Sequence, residues 1–179
     1  MDELKTVEIE LKISGGGFVS AGNLSKISYL CDYAAYETEL EELSIIRNEF
    51  TDIPVAAIDA TELRLRKKFG SFLIIREASN GSIILAGCVI TFTMWLLQQT
   101  LAETVKDAWK ESEARERLKE FLLKQMGGKR KVLADKIKGE LQKDGIEAEV
   151  EEKDGKIIIV IYQKEDESLS AVIRKKEFA

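Results

Sequence analysis

The chain has no histidine, one proline and two cysteines among its 179 residues. Without histidine it lacks the commonest general base, the commonest metal ligand and the side chain that titrates near neutral pH. Pro54 stands alone, which excludes Pro-rich linkers. Cys31 and Cys88 lie far apart, with no CxxC or other zinc-type spacing. Two isolated thiols in apolar contexts fit a reducing compartment better than a disulfide scaffold. Neither a metal nor a cofactor is expected. The opening MDELKTVEIELK has no early apolar stretch, so no secretory signal is expected there. Positive charge is not in excess either. Against 32 acidic residues stand 27 basic ones, a net −5, which argues against a chain that coats nucleic acid along its length.

What is present begins with alternation. Val7, Ile9, Leu11 and Ile13 alternate with Glu8, Glu10 and Lys12, the pattern of a half-buried strand. After SGGGF, Ser20 and Asn23 are candidate N-caps for a helix from about Leu24 to Arg47, closed by Thr51 to Pro54. Leu63 and Leu65 alternate with Arg64 and Arg66, and FLII follows a break at Phe69–Gly70, so two further strands are expected. Downstream, Leu97, Leu101, Val105 and Trp109 are spaced by four, and Leu118, Phe121 and Leu122 continue a helical stripe. MGGKRK reads as a break with Gly127 at the helix end. A short helix near Val132–Lys143 should follow, then strands at Ile146–Val150 and Lys156–Gln163 joined by an Asp154-Gly155 hairpin turn. The run IIIVIY is apolar on both faces, which predicts a covered central strand. Ser168–Ala179 is expected to form a last short helix or edge strand.

The fold class expected is therefore α+β: an N-terminal β-α-β-β unit, a central apolar-then-amphipathic helix and a C-terminal α-β-β unit. The corresponding segments are 1–79 for partner binding or self-association, 80–126 for the helix, and 127–179 for a basic linker with the second α+β block.

One stretch dominates the functional reading. From Ala78 to Ala102 there is no charged side chain, in a chain that is 33% charged. Bilayer crossing needs roughly 20 apolar residues in a helix. Ile83, Ile84, Leu85, Val89, Ile90, Phe92, Met94, Trp95, Leu96 and Leu97 would be its apolar surface, with Trp95 suited to an interface. The alternatives are a helix buried in the core or between subunits, and a strand pair. Lysines and arginines are balanced on the two sides and set no orientation.

Beyond it lie Lys124, Lys129, Arg130, Lys131, Lys136 and Lys138, opposed only by Asp135. Such a cluster would attract anionic lipid or phosphate, and is the only place where nucleic acid would bind. Gly15, Gly16, Gly17 and Ser20 lie between a strand and a helix, where phosphate loops lie, but no Walker lysine follows. The acidic run ETELEE at 37–42 is read as a solvated helix face.

The layout of LIIREASNGSIILAGCVITFTMWLLQQTLAETVKDAWKESEARERLKEFL, residues 73–122, resembles small prokaryotic membrane effectors found beside defence proteins, the short-Argonaute-associated transmembrane effectors among them. That resemblance implies an α+β domain that binds a partner, followed by an apolar helix and a charged one. The leading expectation is thus a non-enzymatic membrane-associating effector of the inner (cytoplasmic) membrane, controlled by a protein partner. The alternatives are a cytoplasmic α+β homo-oligomeric adaptor with the apolar helix at a subunit interface, and a phosphate-binding protein using the Gly15–Ser20 loop.

Overall fold

The computed structural model describes residues 6–14, 21–70, 72, 74–79, 82–89, 92–104 and 113–162. Five strands and four helices lie within them. They run β1 (Thr6–Ile13), α1 (Ala21–Glu49), α2 (Val55–Lys68), β2 (Ile74–Ser79), β3 (Ser82–Val89), α3 (Phe92–Thr104), α4 (Glu113–Lys143), β4 (Ala148–Lys153) and β5 (Lys156–Ile161). The α+β class expected from the sequence is the class observed.

The strands form one sheet in the order β2-β3-β1-β5-β4. β1 is its middle strand, antiparallel to β3 and parallel to β5. Segments 1–79, 80–126 and 127–179 therefore do not each keep a sheet of their own, because all three contribute strands to this one. The alternation in β1 has the expected consequence: Val7, Ile9 and Leu11 are buried, and Glu8, Glu10 and Lys12 are half-buried on the other face. Glu8 stands opposite Lys156 of β5 and accepts a hydrogen bond from its ammonium. Ile157, Ile159 and Ile161 of β5 face the helices as well. The strand lies between β1 and β4, as its apolar run predicts. Asp154 and Gly155 both take positive φ, 52° and 76°, in the tight turn between β4 and β5.

All four helices share the core that covers this face. Ile27, Leu43 and Ile46 come from α1, Ile58 and Leu65 from α2, Leu97 and Leu101 from α3, and Leu118, Ile137 and Leu141 from α4. α1 begins at Ala21, before Asn23, and ends where the sequence predicts. Pro54 sits just before α2, a position that wastes no amide donor. Buried Asp32 of α1 fixes the chain beyond α2 by accepting from the backbone amides of Gly70 (2.7 Å) and Phe72 (2.8 Å). Phe69 then lies among Tyr29, Tyr33 and Tyr36, with ring centroids 5.2–6.2 Å apart.

Three expectations are corrected. Leu63 and Leu65 belong to helix α2, whose buried residues Ala57, Ile58, Thr61 and Leu65 follow a helical repeat that the short Leu-Arg alternation disguised. No break occurs at MGGKRK, since α4 runs 31 residues through Gly127, Gly128 and Lys129. It lies antiparallel along α1, from Lys26–Asp144 at one end (2.7 Å) to Asp52–Arg117 at the other (3.4 Å). Tertiary packing over this length outweighs the helix cost of glycine, about 1 kcal/mol each. Lastly, the apolar part of the helix expected over 80–126 is two elements, strand β3 and helix α3. The loop Gly15–Ser20, Ile90, Val105, Trp109 and the tail Ser168–Ala179 lie outside the described residues.

The helix glycines yield a prediction. A Cβ built on Gly128 or Gly139 meets nothing within 4 Å. Gly128→Ala and Gly139→Ala should each stabilise the protein by about 0.5–1 kcal/mol, because both remove backbone freedom from the unfolded chain without a clash. Urea unfolding of the two variants would read this directly, and a loss of stability would mean the helix is not continuous there.

Candidate functional site

Glu39 and Glu42 are three residues apart on α1, so they share a helix face. That face is the buried one, continuing Ala35, Thr38 and Ile46. Lys129 reaches them from α4. Its ammonium lies 2.8 Å from Glu39 Oε1 and 2.7 Å from Glu42 Oε2, and the residue is 8% exposed. Thr93, in the first turn of α3, completes the cluster. Its backbone amide donates to Glu39 Oε2 at 2.8 Å, and its hydroxyl donates to the same oxygen. The cluster thus joins α1, α3 and α4 at one buried point.

Burial pushes the Glu42 carboxyl up to about 7, the neighbouring Glu39 adds to this, and Lys129 opposes it. Burial also works against the Lys129 ammonium, but Glu39 and Glu42 outweigh it and hold its pKa above the ordinary lysine value.

Above the cluster lies a groove of about 170 Å³ between α1 and α4, lined by Thr38, Glu41, Glu42, Ile45, Phe121, Gly128, Lys129 and Val132. Ile45 is 39% and Val132 44% exposed, one on each side. Phe121 is seated on Phe50 at 5.4 Å between centroids. On the rim, Lys136 pairs with Glu41 at 2.5 Å.

The six basic residues read from the sequence as one cluster therefore divide. Lys129 is inside the protein, which corrects its assignment as an exposed headgroup contact. Lys136 is tied to α1, and Arg130 is half-buried, close to the turn at Gly155. Lys124, Lys131 and Lys138 are exposed and recur every seven residues, so they lie along one side of α4.

The apolar residues expected to form one surface divide too. Ile83, Ile84 and Leu85 stand in β3 opposite Leu11, Glu10 and Ile9 of β1, and Val89 stands opposite Thr6. Phe92, Met94, Trp95, Leu96 and Leu97 lie in α3, where Leu96 and Leu97 are buried and Trp95 is half-buried against the core. Among the described residues no helix is long and apolar enough to cross a membrane. No group of histidine, cysteine and carboxylate side chains among them has the arrangement of a metal site. Burial raises the Cys31 thiol to about 12, with Asp32 adding to the effect, so this thiol is unreactive.

Comparison with protein-family models, with curated proteins and with solved structures finds no match to this chain.

Proposed function

We propose that this protein is a binding module, an α+β adaptor that takes a protein partner or a second copy of itself along the α1–α4 groove. The observation that carries this reading is the groove itself. Exposed aliphatic side chains, Ile45 and Val132, flank a cleft whose floor is a charged cluster. Apolar contact beside a recessed polar anchor is the usual make-up of a recognition site. Part of the charge-free run, which suggested a membrane helix, is taken up in the sheet and in the helical core. β3 is an interior strand, and α3 buries Leu97 and Leu101.

A photo-crosslinking amino acid at Val132 tests the reading in cells. A discrete product is expected there and not from Leu63, which is also exposed but lies on α2. Twice the chain mass would identify self-association, and any other mass a distinct partner. No product from Val132, or the same products from both positions, would sink the proposal.

The stripe Lys124, Lys131 and Lys138 favours a second reading, contact with an anionic membrane, each basic residue contributing about 1 kcal/mol near such a surface. Here the membrane would be met from outside, as a partner-controlled effector docking on its surface. Flotation with anionic liposomes separates the two readings, because replacing the three lysines would release the protein under this one and leave the Val132 product unchanged under the first.

A further inference from the structure

Among the described residues, the floor of the groove is unbalanced in charge. Glu39 and Glu42 bring two carboxylates, Lys129 brings one ammonium, and Thr93 adds only neutral donors. An uncompensated charge away from water is costly, so the fully ionised cluster would gain from a second cation. Glu42 is the member of the cluster that both bonds Lys129 and borders the groove. The groups facing Glu42 are Glu39 on its own helix and Lys129 on α4, and the Glu41–Lys136 pair flanks the groove on its outer side.

The walls suit a particular kind of cation. Ile45, Phe121 and Val132 offer apolar surface, against which the methylene stem of a long basic side chain packs while its head remains polar. Gly128 leaves the rim open, because a side chain there would stand in unoccupied space. Glu41 at the entrance is already paired with Lys136, so Glu42 is the carboxylate left to receive the cation.

We infer that the groove is a socket for a lysine or arginine side chain presented by the partner. Its stem lies against Ile45, Phe121 and Val132, and its cation pairs with the Glu42 carboxylate. This rests on the groove being the partner-facing surface. It adds the chemistry of the anchor: the partner is basic at its point of contact, and it binds more tightly where Glu42 is ionised.

The isolated chain can be tested with n-butylammonium chloride as the probe. The Glu42 carboxyl is titrated by carbon-13 NMR, with sodium chloride at equal ionic strength as the reference. Butylammonium should lower the Glu42 midpoint by about tenfold in proton affinity. The neutral n-butanol should leave it in place. Gly128→Leu, which fills the groove from its rim without touching the cluster, should abolish the butylammonium effect. A midpoint no lower in butylammonium than in sodium chloride would overturn the inference, and so would an equal effect in Gly128→Leu. Crosslinking at Val132 without any butylammonium effect would keep the partner surface and remove the socket. A butylammonium effect without a crosslink would remove the partner, and with it the claim that the cation is a side chain.

Discussion

Lys129→Met should cost about 3–5 kcal/mol of unfolding free energy at neutral pH, because it strips from two buried carboxylates the cation that bonds both of them. Methionine keeps the length of the side chain, so little of this loss comes from a void. The deficit should shrink on acidification, as protons neutralise the carboxylates in place of the ammonium. Glu39→Gln and Glu42→Gln added to Lys129→Met should recover most of it, since a neutral cluster carries no stranded charge. Urea unfolding of these variants at pH 5 and pH 7.5 reads all three statements. A loss below about 1 kcal/mol would place the Lys129 ammonium in the solvated range of surface pairs and remove the cluster from the argument.

The second large effect is the pH dependence of the wild type. Burial pushes the Glu42 carboxyl up to about 7 in the folded protein, against 4.5 for an unperturbed glutamate. The native state therefore keeps a proton that the unfolded chain has already released. Its contribution is fully present below the unfolded value, declines as pH rises, and is lost above the folded value. Over this interval it amounts to about 3 kcal/mol. Glu42→Gln lacks the titration, so its stability should decline less than that of the wild type between pH 4.5 and 7.5. Denaturant titrations across that range are the measurement, and parallel curves for the two proteins would show that Glu42 does not carry the proton.

Much of the fold follows from patterns in the chain, and the exceptions have identifiable causes. β1, α1 and the β4–β5 hairpin were legible because alternation, a long amphipathic repeat and Asp-Gly each have one reading. α2 was missed because Leu-Arg-Leu-Arg satisfies a strand over four residues, while the repeat through Ala57, Ile58, Thr61 and Leu65 needs a longer window. The charge-free run reads as one helix because two elements meet in it end to end. Strand β3 and helix α3 follow each other with no charged residue between them, only the polar Thr91 and Thr93 near the join, so no charge marks the boundary.

The site was less legible. Glu39 and Glu42 were read with their neighbours as a solvated acidic face. Yet they continue the apolar stripe through Ala35 and Ile46, and a carboxylate on a buried stripe is a signal of an internal partner. That partner lies far along the chain, on a helix expected to break just before it. No local pattern links Lys129 to α1, and only the antiparallel packing of α4 on α1 brings them together.

The middle position of β1 also bears on how the chain is made. Glu8 and Lys156 face each other across a sequence separation of 148 residues. During synthesis β1 leaves the ribosome before the other described elements, and its parallel neighbour β5 follows only after the four described helices. Until then one side of β1 has unpaired amides and carbonyls, which other extended chains can bind. Closing so long a loop is slow, so folding should wait on the arrival of β5 rather than advance block by block. A nascent chain halted after α4 would hold most of its helices and still lack the strand that completes its core.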